Sequence, residues 1–110
     1  MLLTYKSKKL QNICENPKYN KDLVKNYGIE VSRKLPQRIS ELKSFNSIGD
    51  IPTSPPFRRH KLYGDRDGQF AITIVGQYRL IFKQINDDII IEDLKEINEI
   101  EIMEVSKHYE

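Results

Sequence analysis

The sequence predicts an α+β fold, in which N-terminal helices pack on one face of a mainly antiparallel, curved sheet of four to five strands. One observation is the helical spacing of apolar residues in the N-terminal half, at Val31, Leu35, Ile39 and Leu42. The other is the stretch from Pro55 to Lys83, which reads as three successive strands separated by two turns. The predicted order of elements is β-α-α-β-β-β.

The N-terminal segment is predicted to form one strand and one short helix before the longer helices begin. Leu2 to Tyr5 has the composition of a short strand. Ser7 is a candidate N-cap for a helix, which Asn16-Pro17 should end, because proline disfavours the helical conformation at the residue before it. Tyr19 to Tyr27 is predicted to continue helically, and Gly28 interrupts it.

The longest helix is predicted over Ile29 to Phe45, because its apolar residues form one continuous stripe. Pro36 lies within this helix and should kink it or remove one hydrogen bond. The opposite, solvated side of the helix is expected to carry the basic residues Arg33, Lys34, Arg38 and Lys43.

The central stretch is predicted to contain three strands. The first covers Phe57 to Tyr63 and is followed by a turn at Gly64 to Gly68, where glycine and aspartate are typical turn residues. Gln69 to Val75 forms the second strand, Gly76-Gln77 the hairpin, and Tyr78 to Lys83 the third strand.

The hairpin register decides which face of the sheet Arg79 occupies. A two-residue loop pairs Val75 with Tyr78 and would place Arg79 on the apolar face. A three-residue loop or a bulge pairs Val75 with Arg79 instead, and moves Arg79 and Lys83 to the face that carries Thr73. Because burying an unpaired arginine costs several kcal/mol, we predict the second register, with one apolar and one cationic face.

The C-terminal part is predicted to hold the last strand. Asp87-Asp88 resembles a turn, Ile89 to Ile91 a short strand, and Glu92 to Asn98 an acidic excursion. Glu99 to Val105 is predicted as an interior strand, because apolar residues occur on both of its faces.

Composition is that of one globular domain covering residues 1–110, with 38% hydrophobic and 31% charged residues. No apolar run approaches the ~20 residues of a membrane span, and the start is too short for a signal peptide, so we expect a cytoplasmic protein without a membrane partner. Residues 1–47 hold ten Lys and Arg against four Asp and Glu, whereas residues 85–110 hold two against nine. A basic body of this kind favours a polyanionic partner.

The run from His60 to Ile72, HKLYGDRDGQFAI, resembles the H-x-L-K-G-D-R-x-G-x-W-A-I run of the HigB-like branch of the RelE/ParE toxin superfamily. Tyr78 to Phe82 resembles the W/Y-R-I/L-x-F strand of the same branch. The resemblance implies a RelE-like fold and the toxin of a type II toxin–antitoxin system. It implies cleavage of translated messenger RNA on the ribosome without a metal or other cofactor. It also implies a helix-turn-helix antitoxin as partner, with operator DNA contacted only through that antitoxin.

The candidate catalytic residues are two histidines, one arginine and one tyrosine. A histidine suits proton transfer near neutral pH, and an arginine can grip two phosphate oxygens. The resemblance places a catalytic histidine at His60, and Arg79 is the candidate for phosphate stabilisation. The family's C-terminal D-Y-H falls on Lys107-His108-Tyr109, so the acidic member is missing and His108 and Tyr109 have exchanged places. Further candidates for RNA or phosphate binding are Arg58, Arg59, Lys61, Arg66, Lys83 and Lys107.

Several other interpretations remain open at this level. His60 is alternatively a surface residue, and Arg79 alternatively an ion-pair partner of Glu101 or Glu104. Cys14 lies in a helical pattern and is predicted to be a core thiol; two histidines and one cysteine this far apart make a zinc site improbable. A ParE-like inhibitor of DNA gyrase and an inactive antitoxin-binding corepressor are the competing functions.

Overall fold

The computed structural model describes residues 1–85 and 91–107. The predicted turn at Asp87-Asp88, residues 89–90 of the predicted short strand, and the catalytic candidates His108 and Tyr109 lie outside the described residues. Ile91 is described and is not part of a strand, and the acidic segment after it contains a 3-10 turn at Leu94–Glu96.

Three helices form one layer, one more than in the predicted order of elements, and their limits agree with the predicted helical segments. They are α1 (Lys8–Glu15), α2 (Asn20–Tyr27) and α3 (Ile29–Ser44). The Oγ of Ser7 accepts a hydrogen bond from the backbone N–H of Leu10 at 3.1 Å, which confirms the predicted N-cap. Across the described residues, no helix is long and apolar enough to cross a membrane.

Helix α3 provides the central apolar stripe of the helical layer. Its predicted stripe residues Val31, Leu35, Ile39 and Leu42 are all buried. Pro36 does not end the helix: it lies on the exposed side, where its missing N–H leaves one helical hydrogen bond unmade.

A five-stranded sheet forms the second layer, in the order β1-β5-β4-β3-β2. The strands are β1 (Leu2–Tyr5), β2 (His60–Lys61), β3 (Gln69–Val75), β4 (Tyr78–Gln84) and β5 (Glu99–Lys107). β1 pairs with β5 in parallel, and all other neighbours are antiparallel. β5 lies between β1 and β4, so the predicted interior strand is confirmed. The helices cover one face of this sheet, and we call the other the open face.

The predicted pairing within the hairpin is wrong, although the predicted face of Arg79 is right. Val75 pairs with Tyr78 across a two-residue loop, and Thr73 pairs with Arg79. The register shift between Thr73 and Val75 leaves Ile74 as an extra residue in β3. With a two-residue loop alone, Arg79 would lie on the apolar face. Because the bulge adds one residue to β3, the alternation of faces shifts by one, and Arg79 lies on the open face with Thr73.

The predicted strand over Phe57 to Tyr63 is also wrong in its length, because only His60–Lys61 pairs as β2. Arg58 has a left-handed backbone conformation with φ of 51°, which interrupts an extended chain. The backbone N–H of Arg58 and of Arg59 bond back to the preceding loop, at Ser54 and Pro52. One isolated ladder bond remains, from Thr73 N–H to the carbonyl of Phe57 at 2.7 Å.

Arg38 corrects the prediction that the basic residues of α3 lie on a solvated side. Arg38 is only 5% exposed. Its Nε donates to the carbonyl oxygen of Thr73 at 3.0 Å, and its guanidinium lies 5.2 Å from the ring centroid of Phe57. Arg33 and Lys43 are exposed as predicted.

Candidate functional site

One row of side chains crosses four strands on the open face. His60 of β2 pairs with Ala71 of β3, Ala71 pairs with Ile81 of β4, and Ile81 pairs with Glu104 of β5. Cross-strand partners project to the same side of a sheet, so an imidazole stands at one end of this row and a carboxylate at the other.

Two parallel rows flank the first. Arg79 stands between Thr73 and Ser106 in one, and Lys83 stands between Gln69 and Glu101 in the other. The open face therefore places Arg79 and Lys83 on either side of the row that His60 begins.

The floor between these polar residues is apolar and closed to solvent. Ala71 is 1% exposed and Ile81 is 4% exposed, although neither belongs to the core under the helices. Above them lies a cleft of about 480 Å³. Its lining residues are His60, Lys61, Leu62, Tyr63, Arg66, Ala71, Arg79, Ile81 and Ser106.

The local backbone orients His60. Its Nδ1 lies 3.0 Å from the carbonyl oxygen of Arg58. A carbonyl only accepts hydrogen bonds, so this contact is a hydrogen bond in the tautomer that carries the proton on Nδ1 and leaves Nε2 as the acceptor nitrogen. The left-handed conformation of Arg58 is part of the backbone path that brings this carbonyl to the imidazole.

Arg79 is held at the hairpin end of the cleft. Its guanidinium donates to the carbonyl oxygens of Gly76 at 2.8 Å and Tyr78 at 3.2 Å. Partial burial lowers the pKa of the guanidinium, and the nearby positive charge of Arg58 lowers that pKa further. Two neighbouring cations, one of them partly desolvated, form a place where a bound anion would be favourable.

The open face is not uniformly cationic, which corrects the sequence prediction. Arg66 donates to Glu104 at 2.7 Å and to Gln69 at 3.5 Å, and Lys83 lies 3.8 Å from Glu101. Glu101 and Glu104, which the sequence offered as partners for Arg79, thus pair with two other cations. Arg66 still lines the cleft, with its guanidinium oriented by the Glu104 carboxylate.

The remaining predicted phosphate ligands differ in where they lie. The Nε of Arg59 donates to the carbonyl oxygen of Ile51 at 2.9 Å, which directs this guanidinium into the preceding loop. Lys61 is exposed at the rim of the cleft. Lys107 is exposed at the end of β5, with its Nζ 5.9 Å from the ring centroid of Tyr78.

Tyr63 and Glu104 are residues of this face that the sequence reasoning did not assign to the site. Tyr63 lines the cleft and is 78% exposed, and its only sequence signal is an aromatic residue immediately before the turn at Gly64. The sequence indicated Glu104 only as an alternative ion-pair partner for Arg79. Its place opposite His60 follows from the register of four strands, which no local pattern encodes.

The other chemically reactive side chains of the described residues lie elsewhere. Cys14 is buried among the helices as a free thiol, as predicted. Among residues 1–85 and 91–107, no group of three His, Cys, Asp or Glu side chains could hold a metal ion.

Ser106 pairs with Arg79, so the described part of β5 runs beside the cleft up to Lys107.

Comparison with known proteins supports the fold. No protein-family model matches the chain, and a search of curated proteins found no match. Solved structures do match. A YoeB/ParE toxin from Agrobacterium tumefaciens shares 14% identity over 99% of this chain and 100% of that chain, with a TM-score of 0.54. A YoeB–YefM complex from Staphylococcus aureus shares 16% identity over 99% of each chain, with a TM-score of 0.53. A YafQ mutant from E. coli shares 16% identity over 96% of this chain and 90% of that chain, with a TM-score of 0.57.

The chain therefore has the α+β fold of the RelE/ParE-like toxins, as its sequence predicted. These identities establish a common fold, and the narrower resemblance to the HigB-like branch remains a prediction from the sequence.

Proposed function

We propose that this chain is the toxin of a type II toxin–antitoxin system and cleaves messenger RNA on the ribosome. The observation that carries the proposal is that His60 and Arg79 line one cleft on the open face. The shared fold of YoeB, YafQ and ParE-like toxins supports the same class of function. The cleft is then the catalytic centre.

The proposed reaction is an attack by the ribose 2′-oxygen on the neighbouring phosphorus. The 2′-oxygen forms a bond to phosphorus as the bond from phosphorus to the 5′-oxygen breaks. One proton leaves the 2′-hydroxyl for a base, and one proton is delivered to the leaving 5′-oxygen. The products are a 2′,3′-cyclic phosphate and a 5′-hydroxyl end, and cations stabilise the additional charge on the phosphate in the transition state.

His60 is the proposed general base or acid, acting through the Nε2 that its contact with Arg58 leaves basic. Arg79 is the proposed phosphate ligand, because its guanidinium is held by two carbonyls at the edge of the cleft. Arg58 adds a second positive charge beside it. Arg66 lies across the cleft and is the further cation for the same phosphate.

The outer cations are proposed to follow the RNA backbone away from the cleft. Lys61 is exposed at the rim of the cleft, Lys83 lies in the flanking row, and Lys107 is exposed at the end of β5 beside the ring of Tyr78. Arg59 contributes positive charge only, since its Nε is bonded to the loop carbonyl of Ile51.

His108 and Tyr109 remain the proposed source of the second proton-transfer group. They directly follow Ser106 and Lys107 in the sequence, and Ser106 is the β5 partner of Arg79. Because the two proton transfers need two groups, we expect removal of both residues to lower cleavage without preventing RNA binding.

The proposed partner in the cell is a cognate antitoxin, of the helix-turn-helix type that the sequence resemblance implies. One structural neighbour is a YoeB–YefM complex, and another is a heterotetrameric YoeB–YefM toxin–antitoxin complex. Operator DNA would be contacted through the antitoxin alone. The proposed site of action is the cytoplasm, where translated messenger RNA is available.

The proposal is tested in a translating cell-free extract, by mapping new 5′ ends on a reporter messenger RNA. The native protein should produce cuts within the translated frame, and none on the same RNA without ribosomes. His60→Ala should abolish the cuts, since it removes the proposed proton-transfer group. Lys21→Ala, at an exposed position of α2, is the matched control and should cut like the native protein.

One observation favours a second candidate, a non-nuclease toxin that inhibits DNA gyrase. Two cations of the open face, Arg66 and Lys83, already have the acidic partners Glu104 and Glu101, which weakens the cationic field of a nuclease site. Loss of supercoiling activity in a gyrase assay, with no RNA cuts in the extract, would select this candidate. Neither activity would indicate an inactive antitoxin-binding corepressor.

A further inference from the structure

We infer that Tyr63 is a stacking platform for an RNA base at the mouth of the open-face cleft, an inference that rests on the proposed function. It assigns a binding role to a residue that is not among the proposed catalytic residues. The ligand is a single-stranded nucleotide next to the one that meets His60.

The first observation is the exposure of Tyr63. Tyr63 is 78% exposed, more than any other exposed large hydrophobic residue of the described chain, the next being Leu2 at 58% and Ile29 at 55%. Tyrosine has a flat apolar ring with one polar end, so it suits contacts that are partly apolar and partly wet.

The second observation is the ordered backbone beneath this exposed ring. The N–H of Leu62 bonds to the carbonyl of Gln69 at 2.9 Å, and the carbonyl of Tyr63 accepts from the N–H of Arg66 at 3.4 Å. Gly64 then turns the chain with a φ of 69°, a conformation that glycine adopts without strain. Tyrosine has two side-chain torsions, so holding its ring against a base on this fixed backbone loses little conformational entropy.

The third observation is the set of residues that line the cleft together with Tyr63. Tyr63 lines the same cleft as His60, Arg66 and Arg79. Sites for single-stranded nucleic acids usually combine an aromatic face, which stacks on a base, with cations that bind the phosphates of the nucleic-acid backbone. Three residues of extended chain span about 10 Å, so a base on Tyr63 belongs to a nucleotide neighbouring the one at His60.

A protein-binding role for Tyr63 is less well supported by its surroundings. Asp65 beside it is exposed and charged, and Arg66 is half-exposed and bonded to Glu104. Centres of protein interfaces are typically apolar and depleted of charge, and the cleft beside Tyr63 is charged. An RNA base with its attached phosphate fits both the ring and the cations.

The test uses the fact that the chain contains no tryptophan. Tyr63→Trp places a single tryptophan on the proposed platform, and Tyr19→Trp places one in the 3-10 turn before α2 as the matched control. Each variant is titrated with a single-stranded RNA decamer whose sugars are 2′-O-methylated to prevent cleavage. Binding is followed in parallel by the anisotropy of a dye on the RNA.

The inference predicts that RNA quenches the fluorescence of Tyr63→Trp and leaves that of Tyr19→Trp unchanged. An abasic decamer should bind with little quenching, because it has phosphates but no bases to stack. Tyr63→Ala should weaken binding of the normal decamer by about 5- to 100-fold, and Tyr63→Phe by less than about threefold. On the abasic decamer, Tyr63→Ala and the native protein should bind equally.

Binding without quenching, together with unchanged affinity in Tyr63→Ala, would overturn the stacking role and leave the proposed nuclease intact. No binding by the native protein, together with no cuts in the translating extract, would overturn both proposals. Cuts in the extract that Tyr63→Ala makes as fast as the native protein would also contradict the stacking role. A thermal unfolding scan of each variant confirms that the exposed position tolerates the change.

Discussion

The Nε of Arg38, in helix α3, donates a hydrogen bond to the carbonyl oxygen of Thr73, in strand β3, over 3.0 Å. The short β2 pairs only with Phe70 and Ala71, so Thr73 lies beyond the end of that ladder. Arg38 thereby supplies a donor where the strand no longer does, and its second contact, to Glu41 at 2.7 Å, balances its charge. This contact joins the helical layer to the strand that carries the floor of the cleft.

We expect Arg38→Met to lower the free energy of unfolding by about 2–3 kcal/mol. The methionine keeps much of the apolar contact with Phe57, but the carbonyl of Thr73 and the carboxylate of Glu41 lose their donor. Urea denaturation measures the change. Arg33→Met, at an exposed position of the same helix, should alter it by less than about 0.5 kcal/mol. Equal effects of the two substitutions would show that the Arg38 contact contributes nothing specific.

Arg38 also shows where prediction from the sequence ends. Local patterns were enough for the helices, the Ser7 cap and the strands β3 to β5, because periodicity, capping and turn residues act over short distances. The burial of Arg38 depends on a carbonyl 35 residues away, so its position on the polar side of α3 predicted exposure instead. The shortening of β2 has a more local cause, the bonds of the Arg58 and Arg59 N–H groups to Ser54 and Pro52, which the strand pattern does not reveal.

The candidate site, like the fold, was predictable in its local features and not in its long-range contacts. The family resemblance singled out His60, and the parity argument placed Arg79 on the open face. The hairpin combines a bulge at Ile74 with a two-residue loop, which is one of several arrangements that place Arg79 on the open face. The pairing of Arg66 with Glu104 and the exposure of Tyr63 arise only when distant strands meet, so neither could be read from local sequence.

Arg58 offers a way to separate backbone conformation from charge. Its φ of 51° is unfavourable for most side chains but accessible to asparagine and glycine. We expect Arg58→Asn and Arg58→Gly to keep the stability within about 0.5 kcal/mol. Both should lower cleavage about tenfold, equivalent to about 1.4 kcal/mol of transition-state stabilisation, because the charge beside Arg79 is lost.

Arg58→Ala is the informative comparison, since alanine lacks the charge but has the same Cβ in the left-handed conformation as the native arginine. It should therefore keep the unfolding free energy within about 0.5 kcal/mol of the native value and show the same loss of cleavage. Undiminished cleavage in the asparagine variant would remove Arg58 from the proposed phosphate site. Unfolding midpoints from urea and initial cleavage rates from the translating extract provide the two readouts.

Cys14 should be unreactive in the folded protein. Burial raises the pKa of its thiol from 9.0 to about 12, and the negative charge of Glu15 acts in the same direction. Because the thiolate is the reactive form, a disulfide reagent such as DTNB should label Cys14 at pH 8 only after urea unfolds the chain. Rapid labelling of the native protein would show that the packing of α1 opens readily.

The same raised pKa predicts how stability changes with alkaline pH. The unfolded thiol ionises above pH 9 while the folded thiol keeps its proton, so its contribution is fully present below about pH 9 and declines as the pH rises toward 12. Burial also raises the pKa of Tyr5, which acts in the same sense. Urea midpoints measured between pH 8 and pH 11 should therefore fall, and less steeply in Cys14→Ala.

Arg79 should determine part of the salt dependence of RNA binding. For single strands, each neutralised phosphate contributes about −0.7 to the slope of log affinity against log salt concentration. We expect Arg79→Met to reduce the magnitude of this slope by about 0.7, as measured by anisotropy with the non-cleavable decamer. Lys21→Met, on the exposed side of α2, should leave the slope unchanged. An unchanged slope in Arg79→Met would mean that this guanidinium does not contact phosphate.

The central claim is that the open-face cleft cleaves RNA through the ribose 2′-hydroxyl, with His60 moving a proton. The most direct measurement is the cleavage rate of a ribosome-bound messenger carrying a single 2′-deoxynucleotide on the 5′ side of the mapped cut, compared with the all-ribose messenger. The account predicts no cut at the modified nucleotide, unchanged cuts elsewhere, and no cuts at all with His60→Ala. A cut at the deoxynucleotide, or cleavage by His60→Ala at the native rate, would contradict it.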